Sequence, residues 1–185
     1  MATLTATELH NVQSKPKLGF ATFGRTALFA LAPLAAFGGV NLAAESLGLM
    51  PLFFSPLGLP GWVGAGFHLA LIFSIGISMG LVAHKGRRGA IALRWSAALV
   101  AAMIAFPFFA APLDSMTLAL VMTGVLLLAL ATAIRMTRIS GMAGWFMLPV
   151  IGWIGFGAAL GLAVAAAWAP PFALINAQQP AIGAN

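Results

Sequence analysis

Few side chains in this sequence could do chemistry, and His68 is foremost among them. It stands in PGWVGAGFHLALIFSIGI, residues 60–77, where little else is polar. Three roles are open to an imidazole in such a stretch. It could bond a neighbouring helix or water as a neutral ring, touch a bound ligand, or ligate the metal of a haem or chlorophyll-type group. At helical spacing Gly61, Gly64 and Ala65 share its face above, and Ile72, Ile75 and Met79 share it below. The face above is nearly bare, which leaves space for a close helix contact or a pocket. Trp153 is the second candidate, about nine residues into the last apolar run and so roughly 13 Å deep at the helical rise. It either packs between helices or lines a ligand cavity.

Other chemistries lack their parts. His10, His68 and His84 are scattered, without a pair at i, i+3 or i, i+4, and no apolar run contains an acid. Neither a hydrolytic triad nor a metal site can be assembled from them. The absence of cysteine excludes disulfides, thiolate metal sites and cysteine nucleophiles. GWVGAG follows a loop rather than a strand, so its glycines do not make a phosphate loop. The expectation is a protein without enzymatic activity.

These residues must be positioned by membrane helices. Of 185 residues 62% are hydrophobic and 6% charged, far from a soluble domain. Apolar runs cover Thr26 to Ala44, Trp62 to Ala83, Ala90 to Ala111, Met116 to Ile134 and Gly144 to Trp168. Each approaches the roughly 20 residues that span hydrocarbon as a helix. The fold class expected is an all-α integral membrane protein, a five-helix up-and-down bundle filling residues 20–169. Short turns, HKGRRG, APLDS and RMTRISG, make consecutive spans antiparallel neighbours, and Asp114 or Ser115 suits the N-cap of the fourth helix. Small residues four apart (Gly76 and Gly80, Ser74 and Ser78, Gly157 and Gly161) permit close helix approach, within one bundle or in a homodimer. Pro33, Pro107 and Pro149 each remove one backbone bond from a span.

Charge placement orients the bundle. Lys15, Lys17 and Arg25 precede the first span, Lys85, Arg87, Arg88 and Arg94 surround the second turn, and Arg135 and Arg138 follow the fourth span. With five spans these share one side, which the positive-inside rule makes cytoplasmic. The expected location is a bacterial inner or intracytoplasmic membrane, with the N-terminus cytoplasmic and the C-terminus periplasmic. The net charge of +6 is therefore an orientation signal, with anionic lipid as a partner, and not a nucleic-acid footprint. Trp62 and Trp168 suit the outer interface, and Trp95 and Trp145 the inner one.

The segments outside the spans differ in character. Residues 1–19 read as a cytoplasmic tail and residues 170–185 as an outward tail. The first outward loop, ESLGLMPLFFSPLGLPG, is mostly Leu, Phe, Met and Pro. So apolar a loop must lie on the membrane, fold over the bundle or pack against another protein.

The pattern resembles the tryptophan-rich sensory protein family, also called the translocator protein family. SPLGLPGWV (Ser55 to Val63) is similar to the family's loop and second-helix start, FPFF (Phe106 to Phe109) to the aromatic end of its third helix, and LPVIGWIGFGAAL (Leu148 to Leu160) to its fifth-helix motif. The resemblance implies a five-helix, translocator-protein-like fold with a pocket for porphyrins, sterols or drug-like ligands. His68 stands where the family has a second-helix Trp, Ile72 where Tyr is common and Val150 where the fifth-helix Tyr sits; Trp153 is retained. The site expected is His68, Trp153, Trp62, Gly64, Ala65, Ile72 and Val150, with no metal. Two functions follow. One is a sensory or pigment-related protein binding a tetrapyrrole, carotenoid or lipid. The other is an accessory subunit of a larger photosynthetic or respiratory membrane complex.

Overall fold

The computed structural model describes residues 20–56 and 58–168. The tails expected over residues 1–19 and 170–185 lie outside the described residues. Among the described residues there are five helices: α1 Phe20–Ser46, α2 Gly61–Val82, α3 Gly86–Phe109, α4 Ser115–Thr137 and α5 Gly141–Trp168. All five are long and apolar enough to cross a membrane. Most start earlier or end later than the apolar runs alone indicate. Arg25, Arg87, Arg88 and Arg135 ride on helical turns, because a long cationic side chain can reach the interface from a helix end.

Consecutive helices pack together, and α2 also packs on α5, so α2, α5, α4 and α3 form a ring with α1 outside against α2. The pairs are antiparallel. Gly76 and Gly80 late in α2 meet Phe29, Ala30 and Thr26 early in α1, and Gly157 and Gly161 late in α5 meet Met122 and Ala119 early in α4. The small residues four apart are thus used inside the bundle. Ser74 and Ser78 do more than save space: their hydroxyls donate to the Phe146 carbonyl (2.5 Å) and the Ala143 carbonyl (2.8 Å) of α5. Other buried or half-buried hydroxyls, Ser96, Thr123 and Thr132, bond the carbonyl four residues back in their own helix. The core between the helices is aliphatic and sulfur-rich, with Ile72, Ile75, Leu99, Met136, Met147 and Val150 fully buried.

The ends of the helices have local causes. α1 stops in a Schellman turn, in which Leu49 N–H bonds the Ala44 carbonyl and Gly48 N–H bonds that of Glu45. Gly48 takes the left-handed φ of 72° that this turn requires. α4 starts at Asp114, whose carboxylate accepts from the N–H groups of Met116 and Thr117 and from the Thr117 hydroxyl. These bonds, led by those from Thr117, hold the Asp114 carboxyl below its ordinary range. A carboxyl depressed in the folded state adds stability that is complete above the carboxylate range and fades as pH falls through it. Thermal unfolding in detergent should therefore show Asp114→Asn less stable than the parent at neutral pH, with the gap closing towards pH 3. A gap of constant size at both pH values would show that the charge is irrelevant to the cap.

Candidate ligand cavity beneath the first loop

The apolar loop between α1 and α2 folds back into the bundle mouth. Leu52 N–H bonds the Pro107 carbonyl of α3 at 2.7 Å, which ties the loop across the bundle. Phe53 and Phe54 then turn inward. Phe53 lies 5.5 Å from the ring of His68 and 6.2 Å from that of Phe37, and Phe54 lies edge-on to Trp153 at 5.6 Å. The bareness above His68 has this cause: a Cβ on Gly64 would stand 2.5 Å from the Phe54 carbonyl oxygen. Of the three sites open to the loop, folding over the bundle accounts for Phe53 and Phe54. Leu47 and Met50 remain exposed on it.

His68 is buried, caught between Phe37 at 5.7 Å and Phe53. Its surroundings follow from a proline. Pro107 has no N–H, so the carbonyl four residues earlier, that of Met103, loses its helical partner. The imidazole of His68 reaches the Met103 backbone from α2. Among the described residues its Nε2 has no hydrogen-bond partner, and the ring borders a void of about 30 Å³ that Gly64, Met103, Phe106, Pro107 and Trp153 also line. That volume holds about one water molecule. Trp153 packs as well as lines: its indole stacks on Phe67 of α2 at 4.6 Å.

A larger cavity, about 470 Å³, adjoins this void. Leu52, Phe53, Phe54, Phe106 and Met122 border both spaces. The rest of its wall is Ala110 of α3, Ser115 and Leu118 of α4, Gly157, Leu160, Gly161 and Val164 of α5, and Ser55 and Pro56 of the loop. None of the described lining residues is charged, and the Ser55 hydroxyl is already bonded to the Leu59 and Pro60 carbonyls. Such a space suits an uncharged, largely apolar molecule, in a size range usual for ligand sites.

The seven expected site residues separate into groups. His68, Gly64 and Trp153 come together around the small void. Ile72 and Val150 are fully buried in the core, Ala65 is half-buried, and Trp62 is 77% exposed at the start of α2, where the aromatic belt accounts for it. Among the described residues no three His, Cys, Asp or Glu side chains could hold a metal ion. The expected set omits Leu118, Met122, Leu160 and Val164. Their only trace in the sequence is indirect: the bare Gly157 and Gly161 on the same end of α5.

The five-helix architecture agrees with sequence comparison. The sequence model of the TspO/MBR family matches residues 29–167. No curated protein matches the chain. A match that runs from early α1 to the end of α5, on a five-helix membrane bundle, establishes that the chain belongs to the TspO/MBR family.

Proposed function

We propose that this membrane protein binds an uncharged hydrophobic molecule, of lipid or carotenoid type, in the cavity beneath the first loop, in a sensory or pigment-related role. The observation that carries the reading is the 470 Å³ space with its apolar wall. A tetrapyrrole ligated through His68 fits less well. The ring is covered by Phe37 and Phe53, the void beside it is about 30 Å³, and among the described residues no cation lines either space to meet a tetrapyrrole's carboxylates. His68 instead offers one unpartnered Nε2 next to the cavity, a handle for a hydroxyl or keto group. The site's role in this reading is binding, without a catalytic step.

A second reading is an accessory subunit of a larger inner-membrane complex, or a homodimer. Leu47 and Met50, 75% and 83% exposed on the loop, favour it. Native mass spectrometry and an absorption spectrum of the chain purified in mild detergent distinguish the two. The binding reading expects one apolar molecule per chain. A ligand-free chain recovered only with other subunits would overturn it.

The basic ends of the helices support a cytoplasmic placement of the α2–α3 and α4–α5 turns in a bacterial inner membrane. The chain has no cysteine, so single cysteines report cleanly. In intact cells a membrane-impermeant maleimide should label Ala111→Cys and spare His84→Cys; the opposite pattern would invert the orientation.

A further inference from the structure

At the end of the bundle remote from the loop, a cavity of about 270 Å³ opens between α3 and α4. Arg88, Ile91 and Ala92 of α3 line it with Arg135 of α4 and with Arg138 and Ile139 of the following turn. Arg135 is fixed in place: its guanidinium lies 4.0 Å from the centre of the Trp95 ring and donates to the Ala131 carbonyl at 2.9 Å. The acids among the described residues are Glu45 and Asp114. Asp114 caps the far end of α4, about 30 Å from Arg135 at the helical rise and several Debye lengths away. Three cations therefore converge on a pocket that has no carboxylate near it among the described residues. Ile91, Ala92 and Ile139 make the rest of its wall apolar, and Ile91 and Ile134, the neighbour of Arg135 in the chain, are exposed. Trp95 marks the interfacial depth.

We propose that this pocket binds the phosphate of an anionic phospholipid, with the acyl chains lying against Ile91, Ile134 and Ile139. A phosphate supplies negative charge that the described residues do not, and arginine meets it with paired donors. The apolar part of the wall and the position at the membrane interface select a lipid over a free anion. Each cation near an anionic lipid phosphate contributes about fivefold in affinity, so two contribute about 30-fold. The proposal is independent of the cavity beneath the loop.

The test uses the full chain in neutral detergent, with phosphatidylglycerol, phosphatidylcholine or inorganic phosphate added. Retained lipid is counted by native mass spectrometry, and half-saturation is read from thermal stabilisation. Phosphatidylglycerol should bind and stabilise, and the other two should not. Arg135→Gln with Arg138→Gln should raise the half-saturating concentration about 30-fold, and Lys at both positions should recover most of it. Arg87→Gln with Arg94→Gln removes the same charge outside the cavity and should change it less than threefold. If the first pair prevents folding, Arg88→Gln should still cost about fivefold. Equal losses for the two Gln pairs would reduce the effect to general surface charge. Equal stabilisation by phosphatidylcholine, or stabilisation by inorganic phosphate alone, would also overturn the proposal.

Discussion

Replacing Gly64 by leucine should lift the first loop off the bundle. The Cβ alone would stand 2.5 Å from the Phe54 carbonyl oxygen, 3.1 Å from its carbon and 3.3 Å from the Ser55 Cβ. Two of these are backbone atoms, so no side-chain rotation relieves the contact. The loop must move, and Phe53 and Phe54 then leave His68 and Trp153. Overpacking of this kind costs about 1–3 kcal/mol. A loop seated less firmly by about 2 kcal/mol should be cut by chymotrypsin at Phe53 and Phe54 about 30-fold faster when opening precedes cleavage. Ligand affinity should fall with it, since Leu52, Phe53 and Phe54 form one wall of the cavity. Unchanged cleavage of Gly64→Leu would mean that the loop does not rest on α2 at this point.

The second large effect lies at the other end of α2. A Cβ on Gly76 would approach the Phe29 carbonyl oxygen at 2.5 Å and the Ala30 Cα at 2.7 Å. Both belong to the backbone of α1, so Gly76→Val must push that helix away as a body. α1 has few other attachments, because it stands outside the ring and packs chiefly on α2. In lipid, close packing is itself a main source of helix association. The expected loss is about 3 kcal/mol, seen as a lower unfolding midpoint in mixed micelles. Gly38→Ala provides the comparison. Nothing lies within 4 Å of its added Cβ, and alanine favours a helix by about 1 kcal/mol over glycine, so it should be neutral or slightly stabilising. Equal midpoints for the two variants would refute the close α1–α2 contact.

Membrane helices leave their signature in length and composition, so five spans and their order could be read directly from the chain, and the cap of the fourth helix was narrowed to Asp114 or Ser115, of which Asp114 is the cap. The spacing of Gly76 and Gly80, and of Gly157 and Gly161, marked close contacts without saying to which partner, because a bare helix face looks the same whether it meets its own bundle or a second copy. The loop was harder still. Its apolar composition suits a lipid surface, a bundle mouth or a partner equally, and only the backbone path places Phe53 and Phe54 inside while Met50 stays outside. His68 and Trp153 stood out because polar and indole groups are conspicuous in a span. Leu118, Leu160 and Val164 did not, since an aliphatic side chain facing a cavity is chemically identical to one facing lipid. Ile72 and Val150 were chosen by correspondence with aromatic family positions; here they are filled by aliphatic groups that complete the core. The relation between His68 and Pro107 needs both ingredients. Proline fixes which carbonyl is freed, by the i−4 rule, but the helix that answers it is set by tertiary packing.

On the proposed function, the cavity under the loop binds an uncharged apolar molecule. Its most direct test is the binding of one such molecule to the purified chain and to a Leu118→Trp variant, in which an indole occupies the space from α4. With β-carotene as the probe, followed by its absorption in detergent, the wild-type chain should saturate at one molecule per chain, and Leu118→Trp, folded to the same helical content, should bind at least tenfold more weakly. Equal binding by the two proteins would contradict the claim, as would no saturable binding by the wild type.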